Sequence, residues 1–162
     1  MTHSREQGFS LVELLTVVAL ASILIAVGLP SYGRYRKTLL QWQVREQLIQ
    51  DLRGARQTAI TKHTPVAVVF GNGAANTNLT TYSVHTDLNA DGVLQAGEPN
   101  TLKKLPKGGL LTAVQLTPND SLTFETSGLL RSGSGGGRLI FSAKDGVRDT
   151  LLVSVAGLAY HP

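Results

Sequence analysis

The sequence predicts an α+β protein: one long N-terminal helix, half membrane-spanning and half amphipathic, packed on an antiparallel β-sheet domain. Three observations predict it. Residues 9–29 form an apolar run that carries a single charge, Glu13. Residues 31–62 contain no proline and place apolar side chains at helical spacing. Beyond Pro65 come short runs of β-branched, aromatic and aliphatic residues, parted by Gly, Asn, Asp and Pro. A helix followed by consecutive short strands is the pattern of an α+β domain, and 162 residues hold one such domain with an appended anchor.

The first eight residues, MTHSREQG, are polar and divide from the rest as a leader, residues 1–8. The span that follows covers residues 9–30. Its 21 residues from Phe9 to Leu29 would extend about 31 Å as a helix, close to the ~30 Å hydrocarbon thickness of a bilayer. A secretory signal peptide would place basic residues first and a small-residue cleavage site after the apolar stretch. Here the apolar stretch is too long, and the conspicuous boundary, Gly8-Phe9, lies in front of it. Glu13 sits about 6 Å along this helix. A carboxylate in the bilayer centre costs roughly 2.5–3.5 kcal/mol, and less near an interface. It either snorkels to the headgroups or meets a cation. A cut after Gly8 would supply one, the new amine of Phe9.

From residue 31 to residue 64 the helix continues with an amphipathic pattern. Val44, Leu48, Leu52, Ala55 and Ala59 make one stripe, joined by Ile49 and Ile60, with Arg45, Glu46, Arg53, Arg56 and Lys62 left for the other face. Pro30 removes a backbone donor and is expected to kink or loosen the helix. Trp42 reads as a packing or interfacial residue. The β-sheet domain occupies residues 65–162. Val66–Phe70 is its first strand, with further strands at 79–86, 100–105, 110–116, 121–125, 137–142, 150–155 and 157–160. The run from Ser132 to Gly137 reads as a hairpin loop, since it lacks the strand–helix context of a dinucleotide loop.

The formal net charge is +4. Leaving out Arg5, Glu6 and Glu13, residues 31–162 carry 14 basic and 9 acidic side chains, a net charge of +5. That surplus permits contact with nucleic acid or anionic surfaces without demanding it. There is no cysteine, which excludes disulfides, thiolate metal sites and a cysteine nucleophile.

The string Gly8-Phe9-Ser10-Leu11-Val12-Glu13-Leu14-Leu15 resembles the type IV prepilin cleavage motif, and Pro30 stands where pilins commonly carry a helix-loosening proline. The resemblance implies cleavage by prepilin peptidase between Gly8 and Phe9 and N-methylation of Phe9. It assigns Glu13 to assembly, attracting the amine of an adjacent subunit. It also implies a single pass through the bacterial inner membrane, leader in the cytoplasm and domain outside, followed by assembly with other pilins or pseudopilins in a filament. Charge counting alone favours the opposite orientation, because Arg34, Arg36 and Lys37 follow the span while Arg5 is offset by Glu6. The resemblance sets the topology.

The stretch Leu52-Arg53-Gly54-Ala55-Arg56-Gln57-Thr58-Ala59-Ile60, with Lys62 and Pro65-Val66, is similar to a stretch of the GspH/FimT group of minor pilins and pseudopilins. So is the tail, with Phe124 and Gly128 ahead of Leu151-Leu152-Val153-Ser154 and Gly157. The function this implies is that of a structural subunit of a type IV pilus or a type II secretion pseudopilus, requiring no cofactor. The alternative is a DNA-binding or adhesive pilus-tip subunit for natural transformation. Members that bind DNA place arginines after a glycine near the C-terminus; here Gly157 is followed by Leu158-Ala159-Tyr160-His161-Pro162, a departure from that pattern.

Two candidate binding sites lie in the exposed domain. Residues 87–98 fit the twelve-residue calcium pattern, with Asp87, Asn89, Asp91, Val93 through its carbonyl, and Glu98 as ligands and Gly92 at the turn. The flanks read as strands rather than EF-hand helices, and an Asx-rich hairpin turn accounts for the same residues. Arg131, Arg138, Lys144 and Arg148 could form a sequence-independent phosphate patch toward DNA, or stand as scattered solvent charges. No catalytic constellation is evident: His3, His63, His85 and His161 are scattered without metal spacing, so the expectation is no enzyme.

Overall fold

The computed structural model describes residues 10–71, 78–89, 91, 94–116, 120–133, 136–143 and 148–162. Helix α1 runs from Leu11 to Lys62, and eight strands follow: β1 Val66–Val69, β2 Thr81–Thr86, β3 Asn100–Lys104, β4 Gly109–Leu116, β5 Ser121–Phe124, β6 Gly137–Ala143, β7 Arg148–Val153 and β8 Ala159–Tyr160. Each falls within two residues of the sequence expectation. The chain divides into two compact units, residues 1–36 and 37–162.

In the second unit α1 lays down the expected stripe: Val44, Leu48, Ile49, Leu52, Ala55 and Ala59 are all buried. Ile60 departs from it and is 36% exposed. It lies over the Gly128 turn instead, near the end of the helix. The helix stops because His63 takes a left-handed conformation, φ 51°, the usual device at the residue after a C-cap. Thr64 Oγ1 donates to the Lys62 carbonyl at 3.0 Å, and Pro65 cannot continue the helix.

The sequence pointed to an antiparallel sheet domain; the structure resolves it into two four-stranded sheets. Their orders are β3-β2-β1-β5 and β4-β6-β7-β8, and every pairing is antiparallel. In the first sheet Val66 and Val68 stand in register with Phe124 and Leu122, all four buried. In the second, β4 carries a register shift between Leu111 and Ala113. That bulge lets Leu111 and Val114, three positions apart, both reach the core, which a strict alternation would forbid. The sheets are stitched by reciprocal backbone bonds between Leu79 and Leu111, at 2.9 and 2.8 Å. Inward residues of both sheets and the α1 stripe form one core cluster.

A polar clamp fixes α1 on the first sheet. The buried Tyr82 hydroxyl donates to Asp51 Oδ2. Lys103 Nζ lies 3.0 Å from Asp51 Oδ1, and Gln47 Nε2 donates to the Lys104 carbonyl at 2.9 Å. Burial, then the hydrogen bond to Asp51 and its charge, raise the Tyr82 phenol above the usual tyrosine range.

Two glycines of the family-like tail have steric reasons to be glycine. At Gly157, φ +74°, a Cβ would sit 2.6 Å from the Phe124 ring. At Gly128, φ +79°, it would sit 2.6 Å from Ile60 Cδ1.

Gly157→Ala should therefore lower stability by about 1–3 kcal/mol. Gly54→Ala, at an open position inside α1, should raise it by about 0.5–1 kcal/mol. Denaturant unfolding of the detergent-solubilised chain would read both signs. The clamp predicts a pH dependence. The folded-state value of the Tyr82 phenol lies above the unfolded one of about 10, so the linked stability is full below that pH and is lost as pH rises further. The unfolding free energy should begin to fall as pH passes about 10 and keep falling above it. In Tyr82→Phe it should start about 1–2 kcal/mol lower and fall less steeply.

Candidate functional site

The first unit is built on the apolar half of α1. From Leu11 to Leu29 every large apolar side chain is more than half exposed. Soluble proteins do not leave a band of this size bare, and the segment is long and apolar enough to cross a membrane. Glu13 lies in its first turn, where a carboxylate suits the positive end of the helix dipole. The turn is closed by Leu14 N–H donating to the Ser10 carbonyl at 3.1 Å and by Thr16 Oγ1 donating to the Glu13 carbonyl at 2.8 Å. Among the described residues the Glu13 carboxylate has no hydrogen-bond or ion-pair partner. Gly8 and Phe9 lie outside the described residues. The helix is unbroken in secondary structure across Pro30, although proline has no N–H for the carbonyl four residues back, that of Ala26. Beyond it Tyr32, Tyr35 and Trp42 are exposed, and the Arg36 guanidinium lies 6.0 Å from the Tyr32 ring centre. Exposed aromatics beside basic residues are the composition of a membrane–water boundary.

The residues of the calcium pattern lie between β2 and β3. Asp87 is fully buried, and its Oδ1 accepts the Asp91 N–H at 3.0 Å. Asn89 Nδ2 donates to Asp91 Oδ2 at 2.9 Å. Glu98 accepts two loop amides, Leu88 N–H at 3.0 Å and Gln95 N–H at 2.9 Å. These carboxylates tie down the loop's own backbone. Val93 lies outside the described residues, among which no group of three His, Asp or Glu side chains is placed to share an ion.

Of the basic residues, Arg138 and Arg148 share one face of the second sheet. Arg138 stands opposite Leu152, and Arg148 opposite Ser142. Four residues of strand therefore separate their positions, about 13 Å, and both are exposed. Arg131 sits apart, its N–H bonded to the Thr123 carbonyl beside the first sheet at 2.9 Å. Lys144 lies outside the described residues.

Sequence reasoning missed the Gln47–Asp51–Tyr82–Lys103 clamp. Its one legible trace was Gln47 and Asp51 at i, i+4 beside the stripe positions Leu48 and Leu52. It also missed His85, whose buried ring stands 3.7 Å from Glu98 Oε2 with neither nitrogen hydrogen-bonded. His161 Nε2, by contrast, lies 2.8 Å from Asp149 Oδ1, tying the C-terminus to β7.

Comparison with known proteins agrees with this anatomy. Residues 45–157 match the model of the type II transport protein GspH family, and residues 3–29 match the prokaryotic N-terminal methylation motif. No curated protein matches. Among solved structures, the chain is similar to the type IV minor pilin FimU of Pseudomonas aeruginosa. The TM-score is 0.53 at 17% identity, over 77% of this chain and 89% of that one, a likeness of fold. An exposed apolar helix half with one carboxylate, an amphipathic half under two antiparallel sheets, and a family match over most of the sequence lead to one assignment: the chain belongs to the GspH family of pilin-like proteins.

Proposed function

We propose that this chain is a non-enzymatic structural subunit, a minor pilin or pseudopilin, of a type IV pilus or a type II secretion pseudopilus. It is stored as a single-pass protein of the inner membrane, leader in the cytoplasm and domain outside. Prepilin peptidase cuts between Gly8 and Phe9, and the Phe9 amine is methylated. The helix half then leaves lipid for the core of a filament, where Glu13 meets the amine of a neighbouring subunit. The observation that carries this reading is the carboxylate of Glu13, the only charge in a bare apolar band from Leu11 to Leu29. In apolar surroundings such a charge is costly unless it reaches the headgroups or meets a cation; the band offers no cation from its own side chains.

Glu13→Ala should insert in the membrane and yield a mature N-terminus at Phe9 by mass spectrometry. Its amount in sheared filaments or pseudopili should drop about tenfold or more, the effect of losing ~1.4 kcal/mol or more of docking energy. Incorporation equal to wild type would sink the charge pairing.

A second reading, a pilus-tip subunit that contacts DNA, draws on Arg138 and Arg148 sharing an exposed face. If both neutralise phosphates, a gel-shift titration with the full chain in detergent should weaken steeply with salt. Replacing both by Ala should reduce the log–log salt slope by about 2. An unchanged slope would remove these residues from any such role.

A further inference from the structure

The first sheet ends in an open edge. Strand β3 is outermost in the order β3-β2-β1-β5, and its register with β2 is regular from Thr81↔Lys104 to His85↔Asn100. Thr86 N–H donates to the Pro99 carbonyl, and Leu105 N–H to the Thr80 carbonyl. This phase aims the backbone groups of Thr101 and Lys103 at β2 and those of Asn100, Leu102 and Lys104 outward. The Lys104 carbonyl shows the outward aim directly, since it accepts Gln47 Nε2 from α1. Leu102 is 60% exposed. Proteins usually blunt such an edge with charged side chains, a bulge, a proline or a cover. Here β3 has no register shift, Pro99 and Pro106 only flank it, and α1 caps only the Lys104 carbonyl. Its lysines repel a like strand while leaving a carboxylate-bearing one free to pair.

We propose that this edge takes an extended, carboxylate-bearing segment of a neighbouring, different subunit as an added strand. The charge around it selects that partner. Lys103 is held by Asp51, which leaves Lys104 in the strand and Lys107 just past it without an ion-pair partner among the described residues. A second copy of this chain would bring the same three lysines to the edge and no carboxylate, since residues 99–109 contain none. An alternating acidic and apolar strand satisfies the outward amides, covers Leu102 and meets Lys104. The inference deepens the proposed role and rests on it for the identity of the neighbour.

Leu102→Pro removes an outward N–H and no bond to β2, so the fold should survive, as a melting measurement would confirm. In the native host, wild type should appear in the sheared filament fraction. Leu102→Pro should be cut at Phe9 normally yet fall about tenfold in that fraction; incorporation equal to wild type overturns the proposal. Absence of wild type itself from the fraction overturns the filament role instead. The edge is then judged on hydrogen exchange of the full chain in detergent with synthetic peptides. A peptide alternating Glu and Val should slow exchange at Leu102 and Lys104 about tenfold more than one alternating Lys and Val. Equal effects overturn the proposal. If Leu102→Pro does not fold, Lys104→Glu with Lys107→Glu replaces it in both assays: it should lower incorporation and abolish the preference for the acidic peptide, and wild-type behaviour overturns the proposal.

Discussion

Burial of one helix stripe organises the whole C-terminal unit. Val44, Leu48, Leu52, Ala55 and Ala59 share a single cluster with inward residues of both sheets, among them Val68, Leu122 and Phe124 from the first and Leu111, Leu139 and Leu151 from the second. Most stripe residues bury the larger part of their apolar surface, and a fully buried Leu or Val contributes roughly 1.5–3 kcal/mol relative to exposure. The sheets meet each other through little backbone pairing, the Leu79–Leu111 bridge. Their common attachment to the stripe makes one domain of them.

Polar contacts then choose among the positions that burial allows. A sliding helix could keep its leucines dry over more than one register, but the Tyr82 hydroxyl can meet Asp51 in only one. The two halves of this clamp differ in worth. The side chain of Lys103 is 38% exposed, so its ion pair with Asp51 is screened and contributes little. The phenol is buried, and losing its acceptor would strand a polar group. Specificity of docking therefore rests on the neutral donor more than on the ion pair.

The parts of this architecture that were legible in the sequence are those written in local periodicity. The α1 stripe follows from helical spacing, and all eight strands follow from alternation bounded by turn residues. The place of Glu13 as a lone carboxylate in an apolar helix half was legible because the run around it carries no other charge. The partition into two sheets was not. It depends on β1 choosing β5 over β4 as its second neighbour, a pairing between segments more than fifty residues apart for which no local pattern exists. The clamp was hidden for a related reason, since Gln47 and Asp51 look the same whether they face water or Tyr82. Ile60 belonged to the stripe by spacing, yet it lies at the end of the helix, where the Gly128 turn receives it.

The exposed half of α1 is apolar on every side, and this has a consequence for orientation. A helix clad evenly in Leu, Val and Ile has no preferred azimuth in a uniform apolar medium; it can spin about its axis at no energetic cost. Glu13 is the one charged side chain that breaks this rotational symmetry. A single carboxylate thus marks one side of a rod that is otherwise nearly uniform, as a compass mark does.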